Sequence, residues 1–161
     1  MKILVPMDDS DYSQAALRAV LRQFQPHDTE VRVMHVDEWP KGMPISLAFA
    51  EGHEGAQHIL AMHEEERRRS RDVMAVAVRQ LSAAHFNASS ELRDGDAPQA
   101  ILDAVAEWRP DVVVMGSHGR SGLRRFLLGS VSDTVVRRAP CSVEVVRTPN
   151  GFASDGERVL T

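Results

Sequence analysis

Along the chain, short apolar runs alternate with longer stretches in which apolar residues return every three or four positions. Lys2 to Met7 (KILVPM), Glu30 to Val36 (EVRVMHV), Asp111 to Met115 (DVVVM) and Ser142 to Arg147 (SVEVVR) read as strands, with Asn87 to Arg93 a weaker, polar one. Tyr12, Ala16, Ala19, Val20 and Phe24 recur at helical spacing and predict a helix over Asp11 to Gln25, broken by Pro26-His27-Asp28. Asp8-Asp9-Ser10 before it suits a tight turn and an N-cap. A long helix is predicted from about Ala56 to Ala84. Ile101, Leu102, Val105 and Trp108 line another, which starts after Asp94-Gly95-Asp96 and ends at Arg109-Pro110. Pro98 sits in its first turn, and Gln99 follows Asp96 by three residues, a capping-box variant. Ser130 to Arg138 is the last predicted helix. Asp37 to Gly55, with Trp39-Pro40, Gly42, Pro44 and Gly52, reads as a loop and a candidate interaction surface. Residues 1–147 then form one domain, and Thr148 to Thr161 a loose polar tail.

Five strands alternating with helices predict an α/β fold, an open five-stranded parallel sheet with helices on both faces. The unbroken apolar runs of the first and fourth strands suit central positions, covered on both sides. In such sheets ligands bind beyond the carboxyl ends of the strands, where the strand order reverses. The order 3-2-1-4-5, which the pattern suggests, brings Met7-Asp8 beside Gly116 at that reversal.

Composition narrows the partners. A length of 161 residues fits one domain with a real core, and a net charge of -4 weighs against nucleic acid or an anionic membrane. The single cysteine, Cys141, forms no internal disulfide and reads as a small buried residue. Met1 leads straight into strand formers, which leaves no room for a signal peptide, and no apolar run reaches the ~20 residues of a membrane span. A cytoplasmic protein is expected. Glutamates precede Arg67 to Arg71 by three and four residues, the order that favours pairing on a solvated helix face. His53, His58 and His63 recur every five residues, a spacing that spreads them around a helix rather than onto one metal.

The richest chemistry follows the fourth strand, in GSHGRSGLRRFLLGS from Gly116 to Ser130. Glycine allows positive backbone dihedrals and holds no side chain between backbone and ligand. Gly116, Gly119 and Gly122 would turn backbone N–H groups toward an anion, and a helix starting at Gly129-Ser130 would add its unpaired N–H groups. Hydroxyls of Ser130 and Ser132 and the charges of Arg120, Arg124 and Arg125 suit phosphate. The Walker pattern is absent, and glycines at one, four and seven do not match the dinucleotide fingerprint at one, three and six. No Gly-x-Ser-x-Gly elbow makes Ser130 a nucleophile. Of Asp8 and Asp9 one alone would face the crevice, and Asp9 reads as a turn or cap residue. His118 reads either as a loop residue or as a phosphate ligand or proton shuttle.

Gly116-x-x-Gly119, nine residues, then Gly129-Ser130 resembles the ATP-binding signature of the universal stress protein family. Ile3 to Ser10, His35-Val36, Gly95-Asp96-Ala97-Pro98, Asp111 to Gly119 and Ala139-Pro140-Cys141 resemble further landmarks, so the likeness spans Lys2 to Arg147. It implies a Rossmann-like fold of the adenine nucleotide α-hydrolase type, a homodimer, and membership of the branch that binds ATP. By position, Pro6, Met7, Asp8 and Val36 would surround adenine, with Asp8 also near the sugar, and Met115 and Gly116 would lie against the ribose. Ser117, His118, Gly119, Arg120, Ser121 and Gly122 would wrap the phosphates, and Gly129, Ser130, Val131 and Ser132 would close over them. Mg²⁺ or Mn²⁺ would come with the nucleotide, and no residue is assigned as catalytic or as a metal ligand. The implied role is a ligand-dependent stress-response module acting on a protein partner. The alternatives are a slow ATPase, a dimeric interaction protein that does not use nucleotide, and a binder of AMP or cyclic AMP. Two departures stand out. Met7 replaces a residue that is often small or threonine, and Glu144 puts a charge into the last strand, Val143 to Val146, through which the family pairs.

Overall fold

The computed structural model describes residues 1–38, 53–119 and 128–148. Its elements are β1 (Lys2–Pro6), α1 (Asp11–Gln23), β2 (Glu30–Asp37), α2 (His53–Ala83), β3 (Asn87–Asp94), α3 (Ala97–Trp108), β4 (Val112–Gly116), α4 (Ser130–Arg138) and β5 (Ser142–Val146). The strands form one parallel sheet in the order β3-β2-β1-β4-β5, as expected. Alternation along each strand builds a core on each face. Ile3, Val5, Val31, Val33 and Val114 meet α1 and α2 on one side. Leu4, Met34, Val113 and Met115 meet α3 and α4 on the other. Among the described residues no helix is long and apolar enough to cross a membrane.

Element ends depart from the sequence reading for local reasons. β1 stops at Pro6, and the N–H of Met7 bonds the carbonyl of Met34 at 2.7 Å. α1 closes two residues early, because Phe24 is already extended at φ -105° and ψ 150°. β2 and β3 each run one residue further, paired through Asp37 and Asp94. α2 starts at His53, three residues before the predicted start. Most of the expected loop from Asp37 to Gly55, and of the tail from Thr148 to Thr161, lies outside the described residues.

The caps were half read from sequence. Ser10, not Asp9, caps α1, with its Oγ accepting from the N–H of Ser13 at 3.2 Å. Asp96 caps α3 through the N–H of Gln99 at 3.4 Å. The Gln99 side chain reaches forward to Asp103 at 2.7 Å, so the reciprocal half of a capping box is not made. Cys141 is half-buried rather than buried, and desolvation pushes its thiol pKa up. The arginine run splits. Arg68, Arg69 and Arg71 pair with Glu65 and Glu64 on the exposed face, whereas Arg67 turns inward to Asp37 and Asp94.

The end of α2 carries a motif that no glycine announces. The N–H of Phe86 bonds the carbonyl of Leu81 at 3.0 Å, and that of His85 bonds Ser82 at 2.9 Å. This is a Schellman pattern, and Leu81 and Phe86 meet in the core as that motif favours. It forces His85 to φ 68°, a conformation that costs an L-residue other than glycine about 1 kcal/mol. The His85 side chain is exposed and contributes little in return. His85→Gly is therefore expected to raise unfolding free energy by about 0.5–1 kcal/mol, less the extra chain entropy glycine brings. Urea denaturation of the two proteins checks it.

Candidate functional site

The sheet opens at its centre. The β1–β4 ladder runs through Ile3–Val112 and Leu4–Val113 and stops there, whereas β1–β2 pairs over five residues. Beyond that point lies a cleft of about 640 Å³, roofed by the starts of α3 and α4. Pro6, Met7 and Asp8 line it from the end of β1, Val36 from β2, and Met115 and Gly116 from β4. His118 and Gly119 of the following turn line it too, with Gly129, Ser130, Val131 and Ser132 from the start of α4. Ser117 does not. It is 2% exposed and spends its polar groups internally. Its N–H bonds Val146 at 2.9 Å, its carbonyl accepts from Gly129 at 2.8 Å and from Ser132 Oγ at 3.0 Å, and its Oγ meets His118 Nδ1 at 3.1 Å. Arg120, Ser121, Gly122, Arg124 and Arg125 lie outside the described residues.

The wall opposite the glycine turn was not anticipated. Glu38, Asp96, Ala97, Pro98, Ile101 and Thr134 line the cleft, as do Ser13, Met34 and His35. The signal lay in Gly95-Asp96-Ala97-Pro98, read from sequence as a helix start and a family landmark but not as part of the cleft. Gly95 adopts φ 128°, its N–H bonds the carbonyl of Asp37 at 3.0 Å, and this brings α3 against the end of β2. Glu38 spans the junction, its Oε1 accepting from the N–H of Ala97 at 3.1 Å.

The cleft therefore has two chemistries. Met34, Val36, Pro98, Ile101 and Met115 give an apolar side on the α3 face. The other end is polar and built from backbone. Gly129 caps α4 without a side-chain hydrogen bond, so the first N–H groups of that helix carry no cap. Ser132 shares its one hydroxyl proton between the carbonyls of Ser117 and Gly129, at 3.0 and 2.9 Å, which leaves exposed Ser130 as the freer hydroxyl. Asp8 is held by its own turn, its Oδ1 accepting from the Ser10 N–H at 3.1 Å and from Ser10 Oγ at 2.5 Å. The His118 ring lies 5.1 Å from that of Tyr12, and its Nε2 is buried without a hydrogen-bond partner among the described residues. Among the described lining residues there are three carboxylates, Asp8, Glu38 and Asp96, and no lysine or arginine.

Of the reasons for glycine read from sequence, positive φ is not the one met at the described cleft positions. Among those described at the cleft, Gly116, Gly119 and Gly129 do not adopt positive φ; Gly95 alone does. What they provide is close approach. A Cβ on Gly116 would lie 2.7 Å from the Tyr12 backbone in the first turn of α1. A Cβ on Gly119 would meet Asp8 Oδ2 at 2.9 Å, the movable end of a side chain.

The universal stress protein family matches residues 1–147. A universal stress protein of Methanocaldococcus jannaschii is 30% identical over 152 residues, covering 92% of this chain and 82% of the relative. One of Synechocystis is 28% identical over 150 residues, covering 91% and 97%. Among solved structures, UspA from Lactobacillus plantarum gives a TM-score of 0.78 at 24% identity, covering 91% of this chain and 97% of that one. A family member from Arabidopsis thaliana with AMP bound gives 0.66 at 18% identity, covering 96% and 97%. A universal stress protein in complex with cAMP gives 0.54 at 21% identity, covering 91% and 96%. These structural likenesses are likenesses of fold.

The two glycines should separate in experiment. Gly116→Ala is expected to destabilise by about 1–3 kcal/mol, because backbone must move to admit the methyl. Gly119→Ala is expected to cost under about 1 kcal/mol, because the Asp8 carboxylate can swing aside. Chemical denaturation of both variants reads the difference.

Proposed function

The chain belongs to the universal stress protein family, and from that premise we propose that its cleft binds an adenine nucleotide, with ATP the expected ligand. The observation that carries this reading is the division of the cleft. The base fits the apolar side at Val36 and Met115, beside Pro6 and Met7. The phosphates fit the turn at Gly119 and the uncapped start of α4, where helix N–H groups favour anions. Relatives of the same fold carrying AMP and cAMP agree with it. Asp8, Glu38 and Asp96 repel a bare phosphate chain, so a nucleotide arriving with its own Mg²⁺ or Mn²⁺ is favoured over the free anion. The metal then belongs to the ligand. We read the protein as a regulatory module in which occupancy alters contact with a protein partner.

Assembly as a homodimer belongs to the same proposal. Among the described residues β5 pairs with β4 alone, and its other edge is where a second copy would pair. Val143, Glu144, Val145 and Val146 are all half-buried in the single chain. Glu144 would bring two like charges close across an antiparallel β5–β5 contact, which weakens it.

Two measurements test these statements. Titration calorimetry with ATP, AMP and cAMP should give saturable binding to the wild type. Gly119→Val, which places bulk over the phosphate turn, should weaken it by at least about tenfold. Equal binding by the variant, or none by the wild type at millimolar nucleotide, removes the assignment. Sedimentation analysis of Glu144→Leu should show dimer at several-fold lower protein concentration than wild type. An unchanged monomer–dimer equilibrium removes β5 as the interface.

A further inference from the structure

One buried side chain joins the cleft to the face of the sheet that α2 covers. His35 is 6% exposed, lines the cleft and stands near the end of β2. Its Nδ1 lies 2.7 Å from the carbonyl oxygen of Met7. Its Nε2 lies 2.9 Å from Ser70 Oγ, in the middle of α2. Ser70 is itself 8% exposed and does not line the cleft.

The hydrogen-bond roles follow from the chemistry of the partners. A carbonyl oxygen only accepts, so Nδ1 carries a proton. In the neutral ring Nε2 is then a lone pair and must accept, and the donor within reach is the Ser70 hydroxyl. Ser70 has a second acceptor, the Glu66 carbonyl at 3.1 Å. The proton goes to Nε2 in the neutral ring because a buried acceptor left without a donor costs about 1–3 kcal/mol. The Met7 carbonyl thereby selects the Nδ1–H tautomer, and Ser70 holds the other end of the ring by donating to Nε2.

Met7 is no ordinary anchor. Its N–H is already bound to Met34, so the His35 bond fixes the other polar group of the same residue. Between them these two bonds set the path of Pro6-Met7-Asp8 along the cleft wall. We propose that His35 is a positioning residue for the base-facing wall of the cleft and that Ser70 of α2 holds its ring in place through Nε2, so that the packing of α2 and nucleotide affinity are coupled. The proposal rests on the nucleotide reading of the cleft. By linkage the coupling runs both ways, and a partner that shifts α2 would change nucleotide affinity by the factor that nucleotide changes its own.

The experiment uses the full chain and AMP as probe. Ser70→Ala is expected to weaken AMP binding about three- to tenfold, the value of one net hydrogen bond, although residue 70 does not face the cleft. Ser70→Thr keeps the hydroxyl and should restore most of that loss. In a double-mutant cycle, Ser70→Ala should cost almost nothing once His35→Asn is present. Long-range ¹H–¹⁵N spectra of the wild-type imidazole should show neutral His35 as Nδ1–H, the form that donates to the Met7 carbonyl. Wild-type affinity in Ser70→Ala, additive losses in the cycle, or a wild-type Nε2–H tautomer would each overturn the proposal. The last needs no variant to fold. A wild type that shows the Nδ1–H tautomer but binds neither AMP nor ATP overturns the nucleotide reading and, with it, the positioning role. A wild type that binds AMP with the other tautomer overturns the positioning role alone.

Discussion

Everything at the cleft depends on the pairing of β1 with β4 and on how soon it ends. At the base the two strands are fastened on both sides. The Lys2 N–H bonds the Asp111 carboxylate at 2.6 Å, and the Asp111 N–H bonds the Lys2 carbonyl at 2.9 Å. At the top the ladder stops after Leu4–Val113. Pro6 has no N–H to offer, and Met7 gives its own to Met34 on β2. β1 thus leans toward β2 while β4 continues to pair with β5 as far as Gly116–Val146. A parallel sheet that divides its hydrogen bonds in this way leaves a gap at its centre. The gap lies where strand ends and helix starts converge, which is where open α/β sheets hold ligands.

The close contact between Gly116 and α1 packs the first turn of that helix against the end of β4 beside the gap. With the Tyr12 backbone 2.7 Å from where a Cβ would stand, α1 can lie close to the end of β4. The same approach sets Tyr12 against His118 and puts Asp8 under Gly119. A glycine that looks like a ligand contact in the sequence is thus first a packing requirement.

How much of this the sequence disclosed depends on the kind of signal involved. The sheet was legible because buried strands leave unbroken apolar runs, as in Val112-Val113-Val114-Met115, and because Pro26, Gly95 and Pro110 punctuate them. The glycine turn was legible by spacing, but the reason for each glycine was not, since positive φ and close approach leave the same letter. The αL residue at His85 was illegible, because histidine there gives no sign of the Schellman hydrogen bonds around it. The wall made by Glu38 and Asp96 was hidden because each residue looked local, and tertiary contact alone brings β2 and α3 together.

Least legible was the underside of α2. Its later turns present Met74, Ala77 and Leu81, an apolar stripe that any periodicity analysis finds. Its middle presents His63, Arg67 and Ser70, which sit among charged letters and read as solvent face, yet they meet Asp37, Asp94 and His35. Asp37 is 4% exposed, and its Oδ2 has Arg67 at 3.3 Å and His63 at 3.4 Å. The Arg67 distance gives attraction between charges, but among the described residues the same oxygen lacks a well-aligned hydrogen bond. A buried carboxylate oxygen held by charge and not by hydrogen-bond geometry is a weak source of stability. An apolar seam of the same volume would hold α2 as firmly or more so. The polar seam gives directionality instead, because hydrogen bonds from a helix to His35 hold only in one register of that helix. Small shifts of α2 that an oily interface would absorb are passed to the Met7 carbonyl, and so to the wall of the cleft.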